Sequence, residues 1–476
     1  MRFAICKLRL IGEFVFRLGI VVVLFVSSAF GQTGPASLPT SAPMPRPLLD
    51  QIDRRELGDF YKPADADKYF KAHQLIERYF ANADDRKGTI ASLESLEIDA
   101  AIIGRLSRVR PDWPDLKAGV YYINEHFGSF DVRYFLGIPK GYERATALPL
   151  VIQLPTADAF VNEPRPDPLQ AAEIYRAWMS DELTRHPDAV LIMPLLNLEV
   201  LWGPTYTGMN NVIQPMLHAM GRANIDPARV YLLGHGMSAH AVWNLGLHYP
   251  TYFAAINPLA GAASAEWQRL RFMNLRNVLP VVWHDAGDDV TKVDAARQIV
   301  RVLRDLKVDV DYAESRNIGH VPTEAIVEQS RQKMFARTRQ LYPKQVSIQS
   351  NRPDAMFNRN DWVQIYQPLN TGKEEHLLFS RGGGTMTVYA AAYSVNASID
   401  KNTINVTSTN VQSMRFYLNE QMVDMNRAVS VVVNRKPRFE AVLKPNFEQM
   451  LKDQLFIGRG WRYYTAIVDI DFGTVR

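Results

Sequence analysis

The stretch Gly-His-Gly-Met-Ser-Ala-His at 234–240 (GHGMSAH) decides how the rest of the chain is read. It follows the apolar run Val230-Tyr231-Leu232-Leu233 and precedes residues with helical spacing, so it marks a strand that stops abruptly and restarts as a helix. Such a turn needs small flanking residues, because strand and helix approach closely, and an apex residue able to take a positive φ. Gly234 and Ser238 supply the small flanks, and Gly236 occupies the apex.

Outward from this turn, β-rich runs occur at 132–138, 150–154, 189–193, 230–233, 254–259, 280–283 and 308–313. Amphipathic stretches of helix length, at 170–186, 206–223, 238–249 and 293–306, separate several of them. This alternation implies βαβ units and a mainly parallel sheet flanked by helices over residues 118–343. Upstream, at 48–117, apolar residues such as Tyr69, Ile76, Tyr79, Ile90 and Leu93 recur at helical spacing, which predicts a helical segment. After Pro343 the helical signal disappears. Short strands alternate with turn residues, predicting an all-β sandwich domain over 344–476 in which Asn434-Arg435-Lys436 turns a hairpin.

Residues 1–31 read as a signal peptide: a basic leader, the apolar run Leu18–Val26, then small residues before Gln32. The run is well short of the ~20 residues a spanning helix needs, so a cleaved leader is predicted, with no stable membrane span afterwards. The expected destination is periplasmic or extracellular. Residues 32–47 are a Pro/Ser-rich linker. Cys6, in the leader, is the only cysteine, which excludes disulfide and thiol chemistry from the mature chain. The leader also carries four basic residues against one acidic, and so accounts for three of the four net positive charges. No basic face interleaved with aromatics appears, so no nucleic-acid partner is expected.

The segment Asn224–Trp243 (NIDPARVYLLGHGMSAHAVW) is similar to the stretch written iDpdrvyltGhSmGGhgtW in α/β-hydrolases of the secreted esterase, depolymerase and prolyl-peptidase-like kind. Tyr134–Leu154 resembles the family's entry strands, His284–Val290 (HDAGDDV) its HG..D..V, and Asn317–His320 its closing gGH. The resemblance covers under half the chain. It implies a nucleophile, an acid and a histidine in that order, with Asp288 as the acid just past a strand and His320 on a loop after the next one.

Two departures bear on activity. Gly236 stands where the resemblance places the nucleophilic serine; glycine accepts the strained backbone but has no oxygen, so an acyl-enzyme cannot form there. The family's His-Gly after the third strand is here Leu154-Pro155-Thr156-Ala157, and proline has no N–H to donate. The remaining oxyanion-hole candidates are Met237 and Thr156. Two routes to residual catalysis stay open: Ser238 as a displaced nucleophile, or water activated by His320 with Asp288. His284, Asp285, Asp288 and Asp289 cluster within six residues but match no standard metal spacing, so no metal or cofactor is expected. The functional expectation is an exported α/β-hydrolase-fold protein without normal serine chemistry, binding a small-molecule or polymer ligand in the former active-site cleft. The alternatives are a working ester or peptide hydrolase, and a cell-surface interaction protein with a vestigial cleft.

Overall fold

The computed structural model describes residues 43–155, 168–195, 203–263, 265–379 and 384–473. The predicted signal peptide and residues 32–42 of the linker lie outside them. Four helices come first: α1 (Arg46–Leu57), α2 (Ala66–Ala81), α3 (Arg86–Glu94) and α4 (Ala100–Leu106). A buried pair, His73 Nε2 to Asp53 Oδ1 at 2.8 Å, ties α2 to α1.

The central sheet has eight strands: β1 (Gly119–Phe127), β2 (Phe130–Ile138), β3 (Leu148–Leu154), β4 (Val190–Pro194), β5 (Ile225–His235), β6 (Ala255–Leu259), β7 (Leu279–Asp285) and β8 (Asp311–Ser315). Their order is β1-β2-β4-β3-β5-β6-β7-β8. β2 runs antiparallel to both β1 and β4, and all later pairs are parallel. This is the α/β-hydrolase fold. Its helices are α5 (Pro168–Arg185), α6 (Tyr206–Met220), α7 (Met237–His248), the one-turn α8 (Glu266–Arg269), α9 (Val293–Asp305) and α10 (Glu324–Phe335). Strands covered on both faces are largely apolar rather than alternating, and β4, β6 and the Val230–Gly234 core of β5 are buried at every residue. Against one face, Tyr175 and Met179 of α5 and Met334 of α10 pack on Val151, Leu191, Tyr231 and Leu233.

The C-terminal part holds a four-stranded sheet, β10-β11-β16-β19, and a five-stranded sheet, β18-β17-β15-β14-β9, with a separate two-stranded hairpin, β12-β13. In chain order these are β9 (Gln345–Ser350), β10 (Arg359–Asn360), β11 (Val363–Pro368), β12 (Glu374–Phe379), β13 (Gly384–Tyr389), β14 (Tyr393–Asp400), β15 (Thr403–Thr409), β16 (Val411–Leu418), β17 (Ala428–Val433), β18 (Lys436–Val442) and β19 (Ala466–Asp471). The larger sheets share an apolar core that includes Trp362, Val395, Phe416, Val431 and Val468. Pairing is antiparallel except between β15 and β17.

One α-helix and a short 3-10 turn, Ala355–Asn358, depart from the all-β expectation. Residues Phe447–Ile457 form a helix, α11, capped by the Asn446 side chain accepting from the Gln449 amide. Met450 and Leu451 of α11 join the core of the N-terminal helices, beside Tyr79, Leu93 and Ile103. The N-terminal segment thus packs on the C-terminal part as well as on the hydrolase domain, which it meets where Val109 and Trp113 share a cluster with Ala145. Arg339, just past α10, is fully buried. It donates to both oxygens of Asp361 at 2.6 and 2.7 Å and to the Phe253 and Asn277 carbonyls, joining the C-terminal sheets to the hydrolase domain. Among the described residues, no helix is long and apolar enough to cross a membrane.

Candidate functional site

The turn between β5 and α7 has the backbone of a nucleophile elbow. Gly236 sits at φ 58°, ψ −118°, a conformation that costs glycine nothing and strains any other residue. Its amide donates to the Leu259 carbonyl of β6 at 2.9 Å, which continues the sheet's ladder past the strand. The flanks obey the close-approach rule: a Cβ at Gly234 would lie 2.9 Å from Ser238 atoms, main chain included. α7 therefore cannot rest where it does unless Gly234 lacks a side chain.

Ser238, the candidate displaced nucleophile, lies inside the turn and not on its open side. Its side chain is fully buried in the first turn of α7, and its hydroxyl donates to the Pro155 carbonyl at 2.5 Å. The hydroxyl hydrogen that a base would have to remove is committed to a strand end 83 residues away. The reason is geometric. A residue two positions past the apex has entered the helix and turned toward the β3 end, and its polar atom satisfies the chain there. Of the two oxyanion candidates, Met237 opens α7, where the first N–H groups lack intrahelical partners. Thr156 lies outside the described residues. Trp243 is fully buried and donates to the Gly261 carbonyl, a core position.

Asp288 and His320 do come together. Nδ1 of His320 lies 2.8 Å from Asp288 Oδ2, while Asp288 Oδ1 accepts from the amides of Val290 and Thr291 at 2.8 and 2.9 Å. Burial favours the neutral acid, but the bonds from His320, Thr291 and Val290 outweigh it and hold the carboxyl below its usual range. The carboxylate fixes the imidazole with its proton on Nδ1, which leaves Nε2 as the basic nitrogen of the neutral ring. His235, the residue before Gly236, donates from Nε2 to the His320 carbonyl at 2.9 Å, with the two rings 4.7 Å apart. The histidine loop is thus seated directly beside the elbow.

Two further groups brace this side. His284, fully buried, donates from Nε2 to the Thr291 carbonyl at 2.7 Å and lies 3.2 Å from Asp288 Oδ2. Asp285 accepts from the Gly287 amide, from Ser315 Oγ at 2.7 Å and from the Ile318 amide at 3.1 Å. Burial would raise its pKa, but the bonds from Ser315, Gly287, Ile318 and Gly319 prevail and hold it at about 2. Asp285 therefore ties the end of β7 to the loop that carries His320. The sequence held a signal for this, since Asp285 stands where the family pattern writes glycine, yet its partners, 30 and 33 residues on, could not be read from spacing. His240 donates from Nδ1 to the Ala262 carbonyl at 2.6 Å, and burial first, then His284 and His320, lower its pKa. Around the pair, Val290, Ile318 and Val321 are exposed apolar side chains, two of them about two-thirds accessible. Among the described residues no group of three or more His, Cys, Asp or Glu is arranged to hold a metal.

The site can orient and deprotonate, through a charged aspartate and its histidine. It has no hydroxyl at the position from which covalent attack would come.

No protein-family model matches the sequence, and no curated protein does. Solved structures similar to this chain include a thermostable esterase, at 18% identity and TM-score 0.38 over 46% of this chain and 63% of that one. Another is dipeptidyl peptidase 4 of Porphyromonas gingivalis, at 10% identity and TM-score 0.34 over 47% of this chain and 36% of the peptidase. A third is a ferulic acid esterase of the anaerobic fungus Anaeromyces mucronatus, at 12% identity and TM-score 0.32 over 47% of this chain and 90% of the esterase. All are α/β-hydrolase superfamily members.

Proposed function

We propose that this is an exported protein that uses the α/β-hydrolase fold to bind a small-molecule or polymer ligand in the cleft over Gly236, without serine acyl-transfer chemistry. The observation that carries this reading is the elbow itself: the nucleophile's backbone is kept at φ 58°, ψ −118° with no side chain, and the nearby hydroxyl of Ser238 is buried against Pro155. The exposed Val290, Ile318 and Val321 give the rim an apolar character suited to the non-polar part of a ligand. Export rests on the leader's layout; sequencing the N-terminus of the mature protein tests it, with a start near Gln32 expected.

The test of function is turnover of a chromogenic ester by the wild type and by Gly236→Ser. The wild type is expected to be inactive and the variant to gain esterase activity; the Asp288–His320 hydrogen bond and the positive φ of Gly236 support this expectation. A variant as inactive as the wild type would mean that the remaining machinery is not assembled for acyl transfer.

A second reading is favoured by one observation. Asp288 receives three donors, one of them His320 Nδ1 at 2.8 Å, an arrangement that suits a general base acting on water. It requires turnover in the wild type that His320→Ala reduces by about 10²–10⁴-fold.

A further inference from the structure

The outer face of the five-stranded sheet carries an open concavity of about 560 Å³, within the usual range of ligand sites, about 300–1,000 Å³. It crosses β9, β14 and β15 and is lined by Gln345, Asn396, Ser398, Asn405 and Thr407, with Arg435 at the β17–β18 turn. Among the described residues, no carboxylate lines it. Amides and hydroxyls both donate and accept, as a ligand rich in hydroxyls requires, and no aromatic ring is present on which a base could stack.

The turn supplies an independent observation. Asn434 and Arg435 form a two-residue hairpin loop with φ of 49° and 66°. Both residues of such a loop need positive φ, and glycine is the relaxed choice at the second. Asn434 locks the turn onto β15, accepting from the Ser408 amide at 3.0 Å and donating to its carbonyl at 3.1 Å. An arginine held in a left-handed conformation at the edge of a polar concavity is strain that its side chain has to justify. Gln345 of the lining accepts from Arg276 at 3.3 Å; Arg276 also donates to Ser347 Oγ at 2.8 Å, and these uncharged oxygens do not neutralise its charge.

From these observations we infer that this face binds a segment of an acidic polysaccharide, with hydroxyls on the amide floor and a carboxylate on Arg435. The concavity is open to solvent, which leaves room for a chain passing across it. The site is separate from the cleft over Gly236 and does not rest on the function proposed for that cleft.

The test uses the full chain produced in a bacterial host, so that the sequons at Asn396 and Asn405 stay unmodified, run in native gels containing polygalacturonate, alginate, hyaluronate or neutral hydroxyethyl cellulose. At least one acidic polymer is expected to retard the protein more than the neutral one. Arg435→Gln, by loss of one charge-assisted contact, and Asn405→Asp, by placing a carboxylate against an acidic polymer, are each expected to weaken that binding about tenfold with unchanged melting temperature. Arg435→Gly is expected to lose binding while melting at the same or a higher temperature, since glycine relieves the turn. Absence of retardation by all three acidic polymers, equal retardation by the neutral one, or full retardation of the Arg435 variants would overturn the inference.

Discussion

The two halves of the candidate site have fared differently. The acid–histidine half is assembled and braced: Asp288 has three donors, His284 and Asp285 hold its loops, and His320 is docked beside the elbow through His235. The elbow half keeps its backbone and its close strand–helix approach but lacks the reacting atom, and its neighbouring serine is used structurally. The elbow's backbone thus has a packing role of its own, because Gly234, Gly236 and Ser238 seat α7 on the sheet whether or not a nucleophile is present.

Breaking the elbow's packing should give the largest effect. Gly234→Val forces a branched side chain into Ser238 and is expected to cost about 3 kcal/mol or more, measured by denaturant unfolding. Gly236→Ser separates chemistry from packing: it should destabilise by about 1–3 kcal/mol, the cost of a serine at positive φ, while supplying a hydroxyl at the apex. Ser238→Ala should cost about 1 kcal/mol for its buried hydrogen bond and leave any ester turnover unchanged. A loss of turnover in that variant would return Ser238 to the reaction.

The smallest effect sharpens the other half. Asp285 is held at about 2 in the fold against about 4 in an unfolded chain, so its contribution to stability is complete above pH ~4 and is lost as pH falls through its folded value. Asp285→Asn should therefore melt below the wild type at pH 6, and the gap should close as the pH is lowered from about 4 toward about 2. A gap that stays constant with pH would mean that the carboxylate's charge does not hold the histidine loop.

The hydrolase fold was legible because its evidence is local. Strands buried on both faces read as continuous apolar runs, as at 230–233, and the order of the landmarks around 236, 288 and 320 is a property of the chain itself. The less legible features depend on partners distant in sequence. β1 is half-exposed along most of its length and lacks a clean apolar run, and α11 was obscured because its apolar face, Met450 and Leu451, completes the core of helices more than 340 residues upstream. The bonds from Ser238 to Pro155 and from Ser315 to Asp285 likewise exist only once β5 lies beside β3 and β8 beside β7.

The central claim, that the elbow supports no covalent serine chemistry, is tested most directly by intact-mass analysis after incubation with a fluorophosphonate. The wild type should show no adduct and Gly236→Ser a single one. A stoichiometric adduct on the wild type, lost in Ser238→Ala, would contradict the account.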